Sequence, residues 1–202
     1  MARHLAHTLR GAIYTIRTDG TRKRLVFAGG ARLETPGYSP GGGRIVFAGA
    51  PPGRQWGIWT IHPNGTGLRA VTTYPDPSHA GSRHYPDWSP DGRHIEFLRY
   101  EDCQILFCSG PIKFIRPDGS GIHGNGSIGG TGVRYLYSPS GNRLVSRAPI
   151  GGDDSDSDCT DIVTVAVAGD DRQTVTDNCA NFDSGGPRAY AFDPTWQPLP
   201  GG

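Results

Sequence analysis

The 202-residue sequence has no long hydrophobic run, no block of like charge and only four cysteines. No segment approaches the apolar length that a membrane-spanning helix needs. The N-terminal stretch MARHLAHTLRGAIYTI lacks the apolar centre of a secretory leader, so the chain is expected to be cytosolic or a mature form without its leader. Twenty basic residues face nineteen acidic ones, for a formal net charge of +1. With no basic cluster to track a phosphate backbone, nucleic-acid binding is not expected. Hydrophobic residues are scarce at 35%, whereas Gly (31) and Pro (17) are plentiful. Both penalise helix interiors, which argues against long helices. Disorder is set aside because Ile, Val, Phe, Tyr and Trp recur in short, regularly placed runs. Metal and nucleotide signatures are missing too: no Walker A, HExxH or CxxC occurs.

What is present is a repeat. The segments TPGYSPGGGRIVFAG (35–49), YPDWSPDGRHIEFLR (85–99), RYLYSPSGNRLVSRA (134–148) and DPTWQPLPGG (193–202) align on Pro40, Pro90, Pro139 and Pro198. The intervals are 50, 49 and 59 residues, the length of a four-stranded sheet unit. A second signature alternates with the first: GAIYTIRTDG (11–20), GIWTIHPNG (57–65), PIKFIRPDG (111–119) and DIVTVAVAGD (161–170). Each is an apolar strand entering a Gly-containing hairpin turn. A short strand follows in RKRLVF, LRAVTT and DRQTVT, while the third copy, GIHGNGS, is degenerate. Each unit reads as strands A, B, C and D, with tight A–B and C–D turns. Four such antiparallel strands at a fixed period predict an all-β β-propeller rather than a β-sandwich. Blade units are expected at 31–73, 82–127 and 132–177. A fourth would join 190–202 to 3–27, so that N- and C-terminal strands close the last blade. Four blades per chain would form one domain over 1–202; an incomplete ring would call for a second copy of the chain.

PDWSPDGRHIEF, followed downstream by IKFIRPDG, resembles the WD-like repeats of TolB-type propellers, and the terminal PTWQPLP resembles their closing strand. The resemblance covers nearly the whole chain. It implies a scaffold or ligand platform, in some cases attached to a hydrolase domain, and says little about chemistry.

The repeated aromatics Tyr38, Trp88, Tyr137 and Trp196 read as sheet-packing residues in preference to a stacking platform for sugars or bases. Cysteine placement is more telling. If the hairpin after strand C of the last full unit turns at Gly169, Cys159 and Cys179 face each other. If Phe97 pairs Phe114, Cys103 and Cys108 do the same near the B–C tip. Opposed strand positions approach disulfide distance. Two disulfides would imply an extracytoplasmic compartment, periplasmic or secreted.

The long B–C and D–A connections (49–56, 73–84, 100–111, 121–133, 149–160 and 177–190) share one end of the blades. Insertions gathered on one face mark a binding surface. Arg54, Trp56, Tyr74, His79, Arg83, His84 and His123 are the candidate contacts there. Asp154, Asp156 and Asp158 alternate like the opening of a calcium loop, but a solvated acidic loop is the simpler reading, since the glycine and glutamate that complete an EF-hand are missing. No cofactor is required, and calcium is the one such a loop would take. DSGGP at 183–187 resembles a protease nucleophile segment, yet Ser184 has no identifiable base. The function read from the sequence is therefore a non-catalytic module for a protein or peptide partner. The alternatives are a small metal-assisted hydrolase or lyase, or an auxiliary propeller of a larger hydrolase.

Overall fold

A computed structural model of the chain describes residues 4–29, 31–73, 84–98, 102–104, 107–109, 111–129, 135–149, 160–168 and 171–176. The first sheet holds β1 (His4–Leu9), β2 (Ala12–Arg17) and β3 (Arg24–Ala28). The second holds β4 (Ala31–Tyr38), β5 (Ile45–Ala50), β6 (Gly57–Ile61) and β7 (Arg69–Thr73). In the third, β8 (Asp87–Trp88) and β9 (Ile95–Leu98) precede a separate hairpin, β10 (Asp102–Gln104) and β11 (Phe107–Ser109). That sheet is completed by β12 (Pro111–Ile115) and β13 (His123–Gly129). The fourth holds β14 (Leu136–Tyr137), β15 (Arg143–Pro149), β16 (Thr160–Ala166) and β17 (Arg172–Thr174). Every pairing is antiparallel and joins chain neighbours, save β9 with β12 across the β10–β11 hairpin, and no helix occurs among the described residues. The segment 190–202, expected to complete the first sheet, lies outside the described residues.

The core explains why these strands carry no clean inside–outside alternation. Ile45, Val46, Phe47 and Ala48 of β5 are all fully buried, because the second sheet is covered on both faces. Ile45 and Phe47 join Ile13, Val26, Leu33, Trp59 and Ile61 in a layer against the first sheet. Val46 and Ala48 turn the other way, to Trp88, Ile95 and Phe97 of the third. A third layer sets Leu98, Ile112 and Phe114 against Tyr135, Leu144 and Val165 of the fourth. Each buried Phe or Ile contributes about 1.5–3 kcal/mol by leaving water, so three such layers hold successive sheets together. Trp88 is buried in one of them, while Tyr38 and Tyr137 pack on the edges of the other two. Trp196 lies outside the described residues.

Register differs from expectation in three places. Phe97 pairs Lys113, and Phe114 pairs Glu96, one residue away from a Phe97–Phe114 match. Because successive side chains alternate faces, this offset sends Phe97 into one core layer and Phe114 into the next. The β16–β17 ladder, with Val163 opposite Thr174, is likewise one residue from the symmetric pairing about Gly169. The third change is at GIHGNGS, which contributes to the seven-residue strand β13 despite its glycines.

Successive sheets also meet at their turns. A Cβ on Gly92 would lie 3.7 Å from Pro40 Cδ, and one on Gly141 would lie 3.4 Å from Pro90 Cδ, so each A–B turn touches the next. Gly65 and Gly119 repeat a second contact. With φ of +87° and +85°, they bring C–D turns so close to the preceding sheet that a Cβ would sit 2.6 Å from Val26 O and 2.8 Å from Val71 O. These contacts place the A–B and C–D turns of successive sheets on one rim.

Candidate functional site

The short-turn rim is built from one motif used three times. Ser39, Ser89 and Ser138 each donate their amide N–H to the carbonyl five residues on, at 2.8–2.9 Å. Their hydroxyls accept from the amides of Arg44 (3.1 Å), His94 (2.9 Å) and Arg143 (3.2 Å). The C–D turns are fastened by Asp19, Asn64 and Asp118, each accepting the amide and hydroxyl of the residue two positions on, Thr21, Thr66 or Ser120. The Thr21 hydroxyl holds Asp19 below the usual aspartate range, and the Ser120 hydroxyl does the same for Asp118. Asp91 is lowered chiefly by the Ser89 hydroxyl. These serines and carboxylates fasten backbone.

Behind the turns, side chains from neighbouring columns meet. Arg44 Nη1 donates to Thr60 Oγ1 at 3.1 Å, and Arg143 Nη2 donates to Thr164 Oγ1 at 2.9 Å. The matching pair in the third sheet is His94 and Phe114. There the His123 ring stacks on Phe114 at 5.5 Å and meets His94 edge-on at 5.9 Å. Burial pushes the nearby Tyr137 phenol far above its usual pKa, with Glu96, Asp87 and Asp91 adding to the shift.

Among the candidate contacts, Arg54 is exposed in the β5–β6 connection, where its amide closes a turn on Pro51 O at 2.9 Å. Trp56 and His84 are at that same end but buried, with ring centroids 6.2 Å apart. The Leu98 amide donates to the His84 carbonyl at 2.8 Å, and the His84 ring Nδ1 lies 2.7 Å from Leu98 O. The pair therefore braces the long-connection end from within. His123 is elsewhere: as the first residue of β13 it follows a C–D turn and lies on the short-turn rim. Tyr74, His79, Arg83, Asp154, Asp156, Asp158, Cys159 and Cys179 lie outside the described residues. Cys103 and Cys108 are direct register partners in the β10–β11 ladder. Three residues separate Leu98 from Asp102 but two separate Ser109 from Ile112, which offsets this pairing by one from the sheet below. No cluster of three metal-ligating residues occurs among the described residues.

Sequence reading missed a set of arginines. Arg44, Arg69, Arg93 and Arg116 line one cleft of about 540 Å³ between the second and third sheets, beside His94 and Asp118. The signal emerges only when different columns of successive repeats are superimposed. Arg44 and Arg93 lie 49 residues apart and Arg69 and Arg116 lie 47 apart, each near one period, so stacked sheets bring them together.

Similarity to solved structures places this geometry. TolB from Acinetobacter baumannii matches with a TM-score of 0.62 and 15% identity, over 82% of this chain and 37% of that one. A putative TolB from Agrobacterium tumefaciens matches at 0.63 and 22%, over 86% and 60%. The fold is a TolB-like β-propeller. The sheets are thus its blades. A Mycobacterium tuberculosis puromycin-hydrolyzing peptidase also matches, at 0.56 and 15%, over 87% of this chain and 31% of that one. The chain therefore spans less than two thirds of each of these proteins. No family model matches the propeller sequence, and no curated protein does.

Proposed function

We propose that the chain is a non-catalytic binding module that engages a protein or peptide partner through the rim of its B–C and D–A connections. The observation that carries this reading is the β10–β11 hairpin. It is an addition to the B–C connection of the third blade, and among the described residues it pairs only with itself. A blade closes without it, as the second blade demonstrates with a six-residue connection between β5 and β6. Material placed beyond the sheet at one end, where Arg54 is also exposed, suits contact with something other than the propeller itself. A Cys103–Cys108 bond would fix that hairpin, and with Cys159–Cys179 it would suit an extracytoplasmic setting. An acidic loop at Asp154, Asp156 and Asp158 would accept calcium as an ordering ion.

Shortening loop 73–84 with His84 kept in place, or loop 149–160, is expected to abolish partner capture in a pull-down while leaving the melting temperature unchanged. Capture that survives both changes overturns the reading. If the loop takes calcium, the ion raises the melting temperature of the parent chain and not of Asp154→Ala/Asp156→Ala, and no rise in the parent removes the metal reading. The match to a peptidase of which the chain covers 31% favours a second reading, an auxiliary propeller attached to a hydrolase. An adjoining coding segment with a G-x-S-x-G motif would support it.

A further inference from the structure

The arginine cleft is on the rim opposite the proposed partner surface, and the fold does not demand it. Three successive inter-blade clefts on the short-turn rim are built from equivalent positions. In the second, those positions are Arg44 and Arg69 of one blade with Arg93 and Arg116 of the next. Their counterparts are His4, Arg24, Gly43 and His62 in the first cleft, and His94, His123, Asn142 and Ala166 in the third. A blade junction that accepts glycine, asparagine and alanine needs no guanidinium for stability.

The turn carboxylates balance only part of this charge. Arg93 Nε is 3.9 Å from Asp91 Oδ2, and the Arg93 side chain is 82% exposed. Arg69 donates to the Asp118 carbonyl at 2.9 Å, and Arg116 to the Ser120 hydroxyl at 3.4 Å. Each guanidinium carries five N–H donors, so these contacts occupy a minority of what Arg69, Arg93 and Arg116 present.

We infer that this cleft binds an acidic peptide segment, a short run of Asp and Glu side chains belonging to a partner protein. The planar fork of each guanidinium matches a carboxylate in two parallel hydrogen bonds. Guanidiniums contributed by two blades call for several anionic groups in succession, which a single small anion does not supply. The four-guanidinium cluster does not repeat along the rim. The first cleft keeps Arg22 and Arg24 but has His4, Gly43 and His62 in the other three places, and the third has His94, His123, Asn142 and Ala166. A short acidic stretch fits that extent.

The test is fluorescence anisotropy with a labelled Glu/Asp octapeptide on the full chain. Binding is expected to weaken at least about tenfold in Arg69→Gln/Arg93→Gln/Arg116→Gln, and severalfold when salt rises from about 50 to about 300 mM. Arg44 is left in place because it is bonded to Thr60. The single variant Arg93→Gln, at a side chain mostly in solvent, is expected to fold normally and lose about threefold or more. Arg22→Gln/Arg24→Gln in the neighbouring cleft is expected to change nothing. A Gln/Asn octapeptide, inorganic phosphate and a single-stranded oligonucleotide are the competitors. The inference is overturned if the acidic peptide does not bind at low salt, if the arginine variants bind it unchanged, or if phosphate or the oligonucleotide binds as tightly. Loop-shortened variants that keep peptide binding but lose partner capture separate this site from the opposite rim.

Discussion

The second and third inter-blade clefts occupy equivalent places and are built by opposite means. The second is open, about 540 Å³, and lined by four guanidiniums. The third is about 220 Å³ and closed down by the rings of Phe114, His123, His94 and Tyr137. One column on strand C goes with the choice. Where it holds Thr60 or Thr164, the residue leading strand B is an arginine that donates to the hydroxyl, while the buried Thr15 of the first blade has His4 in that place. Where it holds Phe114, His123 stacks on that ring and His94 meets His123 edge-on. The repeat fixes the junction, and the side chains leading strand B and in the middle of strand C together set whether it presents charge or fills with rings.

The largest effect expected from breaking this comparison is at Phe114. Phe114→Ala removes a ring that is 1% exposed and is predicted to cost about 3–5 kcal/mol in urea unfolding. Next comes the blade seam. Gly119→Ala would place a methyl 2.8 Å from Val71 O, whereas Gly20, at nearly the same φ, has nothing within 4 Å. Gly20→Ala is predicted to cost about 1 kcal/mol from backbone strain alone, and Gly119→Ala roughly 2–3 kcal/mol. Equal losses would mean that the seam contact carries nothing.

A smaller effect sharpens the threonine column. Thr60→Val is predicted to cost about 1 kcal/mol through the lost Arg44 hydrogen bond. In the third blade, Phe114→Thr with His94→Arg is predicted to be about 1 kcal/mol less damaging than the two single losses summed, because the new hydroxyl gains its guanidinium.

The smallest effect is acid sensitivity. Asp19, Asp91 and Asp118 are held below the ordinary aspartate value when folded. Their contribution is thus present above the unfolded aspartate pKa of about 4 and is lost as pH falls through the depressed folded values. Asn64 already makes the same turn without titrating. Asp19→Asn/Asp118→Asn should therefore narrow the drop in melting temperature between neutral pH and about pH 3.

Much of this architecture was legible because repetition exposes it. Pro40, Pro90 and Pro139 mark equivalent turns, and the alternating runs ending in Gly20, Gly65 and Gly119 mark hairpins. The Cys103–Cys108 register is reached from a Phe97–Phe114 match that the sheet does not make, and holds because the hairpin is offset by one from the sheet below it. Pairing arithmetic cannot see that offset, because it is set by which core layer Phe97 and Phe114 must each fill. The strand beginning at His123 was obscured by its glycines, which carry little β signal, yet Lys113 and Phe114 of β12 offer it a ladder. Trp56 and His84 read as surface contacts because their segments look like loops; backbone pairing with Leu98 draws the histidine inward. The arginine cleft needs two columns from different blades to be superimposed, which no single repeat displays.

Gly65 and Gly119 have one more consequence. Each lets its turn overlap the edge of the blade before it, always in the same chain direction, as roof tiles overlap. One period of sequence therefore carries both the notch and the edge that the notch covers. Duplicating such a segment would lengthen the array without creating a new kind of joint, and variety is left to whatever is attached beyond the tiles.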